Sequence, residues 1–204
     1  MSISVYPDRD KLLCGTESSK KWNCLQGNDP AVRYTGRTLV SPDGSVAFDW
    51  VGTYLETRFT GGKLSVKVSE TGTSYYNVFV DGKLHKVVKV CGTDTLIHLV
   101  SGIDKRIHSL KIQKRSEGEF GKTTVHQFVL SGSGRLAEEP AVRTRHIEFI
   151  GNSLTCGYGT DGKHRDEPFL VETENCNLTF ASMVARYYDA DYTLIAHSGR
   201  GAAR

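Results

Sequence analysis

From His146 to Gly159 the chain reads His-Ile-Glu-Phe-Ile-Gly-Asn-Ser-Leu-Thr-Cys-Gly-Tyr-Gly. A short apolar run that stops abruptly at a glycine is the pattern of a buried parallel strand. Ser153 follows two residues after that glycine, Gly151. Such a strand delivers Ser153 to the carboxyl edge of a parallel sheet, where open α/β folds place their ligands. Gly151 permits a tight exit, and Gly157 and Gly159 keep backbone bulk low beside the hydroxyl. A serine presented at a cleft among free backbone N–H groups has what acyl transfer asks of a nucleophile. It has room to attack a carbonyl, and donors to hold the oxyanion of the tetrahedral intermediate. Taken alone, Gly-Asn-Ser-Leu also fits a plain strand-to-loop turn, so the surrounding elements have to decide.

Downstream, Asn177 to Tyr188 reads as an amphipathic helix. Phe180, Val184, Tyr187 and Tyr188 fall near helical spacing, and Asn177 is placed to be its N-cap. Tyr192 to Ala196 reads as a second strand. Strand, loop, helix, strand is a βαβ unit, which implies a parallel sheet with helices on its faces. Two strands and one helix are too little to bury a core. The expectation is an incomplete α/β domain, of flavodoxin-like type, over residues 141–204, with the remainder absent from this sequence or carried on a separate chain.

Upstream, residues from about 30 to 131 show a period of two. Leu64, Val66 and Val68 alternate with polar residues, as do Val78 and Val80. Leu84–Val90, Leu96–Val100, Ile107–Ile112 and Val125–Leu130 continue the pattern of half-buried strands. Turn signals separate them: Pro42-Asp43-Gly44, Gly61-Gly62, Asp81-Gly82 and Gly102. Asp81-Gly82 between two apolar runs predicts a tight type I′ hairpin. Roughly seven or eight short strands at this spacing predict an antiparallel β-sandwich, jelly-roll-like, over residues 1–135. Ser131 to Pro140 has the composition of a linker, and the domain boundary is placed there.

Composition narrows the function classes. The formal net charge is +3, from 26 basic and 23 acidic residues spread along the chain. With no basic run, nucleic acid is not a favoured partner. No stretch approaches the about 20 apolar residues of a membrane span, so no membrane partner is expected. The first ten residues lack the apolar core of a signal peptide. The five cysteines, Cys14, Cys24, Cys91, Cys156 and Cys176, contain no C-x-x-C pair, so neither a zinc site nor a redox motif is expected. Free buried thiols are the main reading, with a Cys14–Cys24 staple as the alternative.

The serine segment carries a more specific likeness. Gly151-Asn152-Ser153-Leu154-Thr155 resembles the first block of the SGNH (GDSL-like) hydrolases, in which the serine is the nucleophile. Its extension through Cys156-Gly157-Tyr158-Gly159 is similar to carbohydrate esterase family two, whose members deacetylate polysaccharides. Asn152 stands where aspartate is common. His197-Ser198-Gly199-Arg200-Gly201 resembles the second block, whose glycine N–H helps form the oxyanion hole, and the matching position is Gly199. Gly199 follows the second strand, so it falls at the same sheet edge as Ser153. Tyr34-Thr35-Gly36-Arg37, Val46 to Gly52 and Phe59 to Gly62 resemble the β-sandwich that precedes the catalytic domain in this family.

The resemblance implies a serine acetylesterase acting without metal or cofactor on xylan-like or glucomannan-like polysaccharides, in an extracytoplasmic setting. It implies two further parts beyond residue 204: an asparagine completing the oxyanion hole and a histidine base. Seven histidines are present, and none sits where that base belongs; His197, the nearest, is read as a strand-end residue. A serine without its base loses on the order of 10⁴–10⁶-fold in rate, so this polypeptide alone is expected to be inactive. Its expected partners are an acetylated polysaccharide and the remainder of the catalytic domain. Trp22, Trp50, Tyr75 and Tyr76 are candidates for stacking on sugar rings or for ordinary core. Asn177-Leu178-Thr179 fits an N-glycosylation acceptor. Two alternatives stay open: a carbohydrate-binding sandwich with a non-catalytic hydrolase remnant, and an SGNH esterase or lipase on small or lipid esters.

Overall fold

The computed structural model describes residues 22–138 and 140–201. Its first part holds twelve strands among the described residues: β1 (Trp22–Gln26), β2 (Val32–Thr35), β3 (Leu39–Val40), β4 (Val46–Phe48), β5 (Tyr54–Thr60), β6 (Lys63–Glu70), β7 (Thr73–Val80), β8 (Lys83–Cys91), β9 (Thr95–Ser101), β10 (His108–Lys114), β11 (Thr123–Ser131) and β12 (Arg135–Leu136). They form two six-stranded antiparallel sheets, a β-sandwich. One has the order β3-β4-β11-β6-β9 with β1 on β11, and the other β12-β5-β10-β7-β8 with β2 on β5.

Alternation decides what faces inward. Leu64, Val66 and Val68 of β6 meet Val78, Leu110 and Ile112 from the opposite sheet, with Phe59, Leu99, Phe128 and Leu130 fully enclosed. A bulge between Val125 and Gln127 shifts the register of β11 against β6. That extra residue is why Val125 and Phe128, three apart, both point into the core. Asp81 and Gly82 link β7 to β8 with φ of 50° and 75°, the left-handed pair that the type I′ turn requires.

The segment expected to be a linker is partly sheet. Arg135 and Leu136 pair with Thr60 and Phe59 of β5, and Leu136 packs on the core. The Ser-Gly-Ser-Gly stretch is a turn that carries the chain from β11 in one sheet to β12 in the other, and its polar composition concealed the strand behind it.

The second part comprises β13 (His146–Gly151), the one-turn helix α1 (Ser153–Cys156), 3-10 turns at Val171–Thr173 and Cys176–Leu178, helix α2 (Phe180–Tyr187) and β14 (Asp191–Ala196). β13 and β14 pair in parallel from His146↔Asp191 to Gly151↔Ala196. Two expectations need correction. Asn177 is not the N-cap of the helix: it lies in the preceding 3-10 turn, where its N–H bonds Asn175 Oδ1 at 3.2 Å. The long helix splits because Thr179, at the true N-cap of α2, turns its hydroxyl back onto the Cys176 carbonyl. β13 is not buried either. Its residues alternate between exposed and half-buried, and Ile150 is 79% exposed. Only one face of the strand pair is covered, by α2 and the sandwich together.

That contact has its own core. Val51 and Tyr54 from the sandwich join Cys156, Cys176, Ala181, Ala185, Tyr192, Leu194 and Ala196. Around it runs a polar seam. Asp191 receives Arg33 Nη1 (2.6 Å), Tyr54 Oη (2.8 Å) and Arg143 Nη1 (2.7 Å), while Arg33 also pairs with Glu56. Asn77 Nδ2 spans from Gln113 Oε1 (3.1 Å) to Asn175 Oδ1 (3.0 Å). Arg115 ties the Glu174 carbonyl (2.6 Å) and the Asp161 carboxylate. Gly52, at φ 75°, lets the sandwich backbone approach β14. A Cβ there would sit 2.6 Å from Leu194 Cδ1.

Candidate active site

The turn that carries Ser153 is shaped by its neighbours. A Cβ on Gly151 would fall 2.0 Å from Thr155 Oγ1, so the chain can fold back onto the strand end only with glycine there. Asn152 is the N-cap of α1. Its Oδ1 accepts the Leu154 N–H at 3.1 Å, and its carbonyl accepts those of Thr155 (2.9 Å) and Cys156 (3.0 Å). Asparagine therefore does the capping that aspartate would do. Ser153 takes the first helical position, half-buried, where a backbone N–H has no partner inside the helix. Its carbonyl is occupied by the N–H groups of Gly157 (3.0 Å) and Tyr158 (3.1 Å). Gly157 ends the helix at φ 85°, and a Cβ on it would strike the Asn175 carbonyl at 2.5 Å.

Gly199 reaches the same edge from β14. The His197 N–H bonds the Gly151 carbonyl at 3.2 Å, which extends the parallel ladder one step past the strand. The turn then closes through Arg200 N–H to the His197 carbonyl (3.3 Å), with Gly199 at φ 72° and open space where a side chain would be. The fold thus brings Ser153 and Gly199 to adjoining loops at one end of one strand pair.

None of the histidine hydrogen bonds among the described residues goes to Ser153. His98, His126 and His146 bond Ser65, Ser69 and Thr193, and His108 bonds Asp81 and Asp104. His197 directs Nδ1 to the Ser198 carbonyl at 2.8 Å, with Glu117 and Glu119 flanking it at 3.7 and 3.8 Å. It is a strand-end residue in contact with the sandwich.

Sequence reasoning missed a buried carboxyl pair beneath this edge. Glu117, in the loop after β10, accepts the Ser198 N–H at 2.6 Å and the Ser198 hydroxyl. Its own N–H bonds Glu174 Oε2 at 2.8 Å. Burial, and then the neighbouring Glu117, push the Glu174 carboxyl up to about 9, so it is neutral at physiological pH. Burial and Glu117 also push the Cys156 thiol far above its usual range. Glu117, Cys156 and Glu174 converge within 4.8 Å, a spacing that suits a metal ion. Both Glu117 oxygens accept from Ser198, and Glu174 Oε1 is buried with no hydrogen-bond partner among the described residues. No local motif announces it, because the partners are separated by 57 and 81 residues.

A second missed feature is an aromatic stack beside the serine. Tyr158 lies flat on Phe169 (3.7 Å between centroids, 11°), and Phe120 of the sandwich tilts against Phe169 at 5.7 Å. The aromatic residues expected to stack on sugars lie elsewhere. Tyr75 and Tyr76 are buried, the latter in the sandwich core. Trp22 and Trp50 carry Lys63 and Arg37 over their rings. Of the cysteines, Cys24 is disulfide-bonded, and Cys91, Cys156 and Cys176 are free. Cys14, the partner that the sequence offered for Cys24, lies outside the described residues.

Residues 34–140 match the family described as Carbohydrate esterase 2 N-terminal. This chain belongs to carbohydrate esterase family two. It is 33% identical over 174 residues to the cellulase/esterase CelE of Acetivibrio thermocellus, covering 85% of this chain and 21% of that protein. It is 31% identical over 200 residues to an acetylxylan esterase / glucomannan deacetylase of Cellvibrio japonicus, covering 95% of this chain and 54% of the relative. Among solved structures, a family two carbohydrate esterase from Clostridium thermocellum in complex with cellohexaose superposes with a TM-score of 0.80 at 34% identity, over 83% of this chain and 52% of that one. A family two esterase from Cellvibrio japonicus gives 0.78 at 26% identity, over 88% and 53%. The chain spans about half the length of the Cellvibrio relatives and a fifth of CelE. No helix among the described residues is long and apolar enough to cross a membrane.

Proposed function

We propose that the protein is a serine esterase that removes O-acetyl groups from polysaccharides through an acetyl-enzyme on Ser153. The observation that carries this reading is the meeting of Ser153, at the first position of α1, with the Gly199 turn at one end of the β13–β14 pair. In the proposed reaction Ser153 Oγ attacks the acetyl carbonyl carbon and its proton passes to a histidine base. The N–H groups of Ser153 and Gly199 hold the oxyanion. The intermediate collapses, and the sugar hydroxyl leaves with that proton. Water then attacks the acetyl-enzyme and releases acetate and free serine. The histidine, and an asparagine completing the oxyanion hole, belong to the remainder of the SGNH-type α/β domain in this reading. The relatives' greater length supports that assignment, and so does the uncovered β13, with Ile150 and Leu154 exposed beside the serine. This polypeptide of 204 residues alone is therefore proposed to be inactive.

The acetylxylan and glucomannan activities named for the Cellvibrio relative support an acetylated plant-wall polymer as substrate. A polymer cannot enter a cell, and the disulfide at Cys24 suits an oxidising compartment. Both support an extracytoplasmic location. The decisive measurement compares acetyl-ester hydrolysis by a chain carrying the complete catalytic domain with its Ser153→Ala variant. Loss on the order of 10⁴-fold or more in kcat supports the acetyl-enzyme. Equal activity removes Ser153 from the chemistry, and glycan binding without hydrolysis in either points to a binding module instead.

A further inference from the structure

The second oxyanion donor sits on a turn that has little to hold it. Gly199 is exposed at positive φ with open space where a side chain would be, and among the described residues the backbone closure of the turn is a long hydrogen bond, Arg200 N–H to the His197 carbonyl, at 3.3 Å. An oxyanion donor is effective only when it is fixed before the charge develops. What fixes this turn comes from the other part of the molecule. Glu117 grips Ser198, the residue next to Gly199, by both its N–H and its hydroxyl, and Glu117 is 2% exposed. Glu117 is itself anchored twice. Its backbone N–H is held by Glu174, and Phe120, at the far end of the 3-10 turn that follows it, bonds back to the Glu117 carbonyl.

We propose that Glu117 is a positioning residue for the oxyanion hole: the β-sandwich, through this one carboxylate, sets the place of the Ser198–Gly199 turn relative to Ser153. The inference rests on the reading of Gly199 as an oxyanion donor and goes beyond it by giving the sandwich a part in the chemical step. The neutral Glu174 makes the arrangement affordable inside the protein, because the two carboxyls do not place two negative charges side by side. The geometry also separates this role from substrate binding. Glu117 is enclosed, whereas Ser153 is half-buried.

The test uses a chain carrying the complete catalytic domain, with 4-nitrophenyl acetate as substrate. Ser153→Ala, Glu117→Ala, Glu117→Gln and Ser198→Ala are compared at matched folding, checked by thermal midpoint. Glu117→Ala is expected to lower kcat about 10- to 100-fold with KM within about threefold, since a displaced donor acts on the transition state alone. Glu117→Gln is expected to recover kcat to within about threefold of the parent, because its amide oxygen still accepts the Ser198 N–H. Should Glu117→Ala fail to fold, Ser198→Ala, which removes one of the two bonds, is expected to lower kcat by a few-fold with KM unchanged. Parental kcat in folded Glu117→Ala, or in Ser198→Ala, overturns the inference. So does equal loss in the Ala and Gln variants, since Gln keeps both the bulk and an acceptor for the Ser198 N–H and the loss would then lie with the charge and not with that bond. If Ser153→Ala retains activity, the underlying reading falls and this one with it. If Ser153→Ala is dead and folded Glu117→Ala keeps the parental kcat, only this one falls.

Discussion

The two hydrophobic clusters of this molecule are built on different terms. The first, between the sheets of the sandwich, is closed by its own strands and needs nothing from the rest of the chain. The second, under α2 and β14, borrows Val51 and Tyr54 from the sandwich and is ringed by charged and amide side chains such as Arg33, Asp191, Asn77 and Gln113. Apolar packing makes a region stable without telling it where to sit. Directed hydrogen bonds between enclosed groups add little net stability but fix an orientation, and they are costly to break singly. The difference places stability in the sandwich and geometry at the seam, which is where a nucleophile turn needs it.

That contrast is open to attack. The largest effect is expected from Phe128→Ala, at the centre of the self-sufficient core. It should lose about 4 kcal/mol, and denaturant unfolding should move both regions together. Next comes Asp191→Ala, which leaves Arg33 with Glu56 alone and takes the acceptor from Tyr54 Oη and Arg143 Nη1, at about 3 kcal/mol. Here amide exchange should quicken in β13 and β14 while β6 and β11 keep their protection. Uniform quickening would mean that the two regions are one cooperative unit. Gly52→Ala should follow at about 1–3 kcal/mol, since the left-handed backbone and the close approach of Leu194 both oppose a methyl group there. Its mark would again fall on β14.

A further test is a pH signature confined to the seam. Glu174 is raised in the folded protein, from 4.5 to about 9, so its contribution is fully present below about 4.5 and is lost as pH climbs through about 9. The thermal midpoint of the parent should therefore fall across that window relative to Glu174→Gln, which cannot ionise. Parallel midpoint curves would refute the neutral carboxyl. Asp191 behaves oppositely. Burial works to raise it, but the bonds from Arg33, Tyr54 and Arg143 win and hold it well below the usual carboxylate range. Its contribution is present at neutral pH and is lost only as pH falls into strong acid.

Much of this was legible in the residues because local rules sufficed. Alternation located the strands around Leu64–Val68 and Val125–Leu130, and Asp81-Gly82 announced its hairpin. The serine turn and the second glycine could be placed because each follows a strand end. The polar positions of β7 and β10 misled. Asn77, Gln113 and the Arg115 that follows β10 alternate with core residues as solvent-facing side chains do, yet all three are buried. Alternation reports that a face is polar; it is silent on whether another part of the chain covers that face with matching donors and acceptors. Glu117 and Glu174 were invisible for the same reason. A strand that looked buried, β13, was misjudged in the other direction, because its apolar run does not name what covers it.

The pairing of β1 with β11 has a bearing on the order of events at synthesis. Trp22 lies opposite Ser131, so this edge of the sandwich cannot close until more than a hundred residues have followed the first strand. Such distant pairing is slow to form, and domains fold in turn as the chain emerges. The segment that carries Ser153 is made later still, after every strand that supplies Arg33, Tyr54, Asn77 and Glu117. The Ser153 turn thus forms after the strands of the sandwich, onto a docking surface already assembled, and a delay in closing the sandwich would leave the exposed edge of β13 waiting for its support.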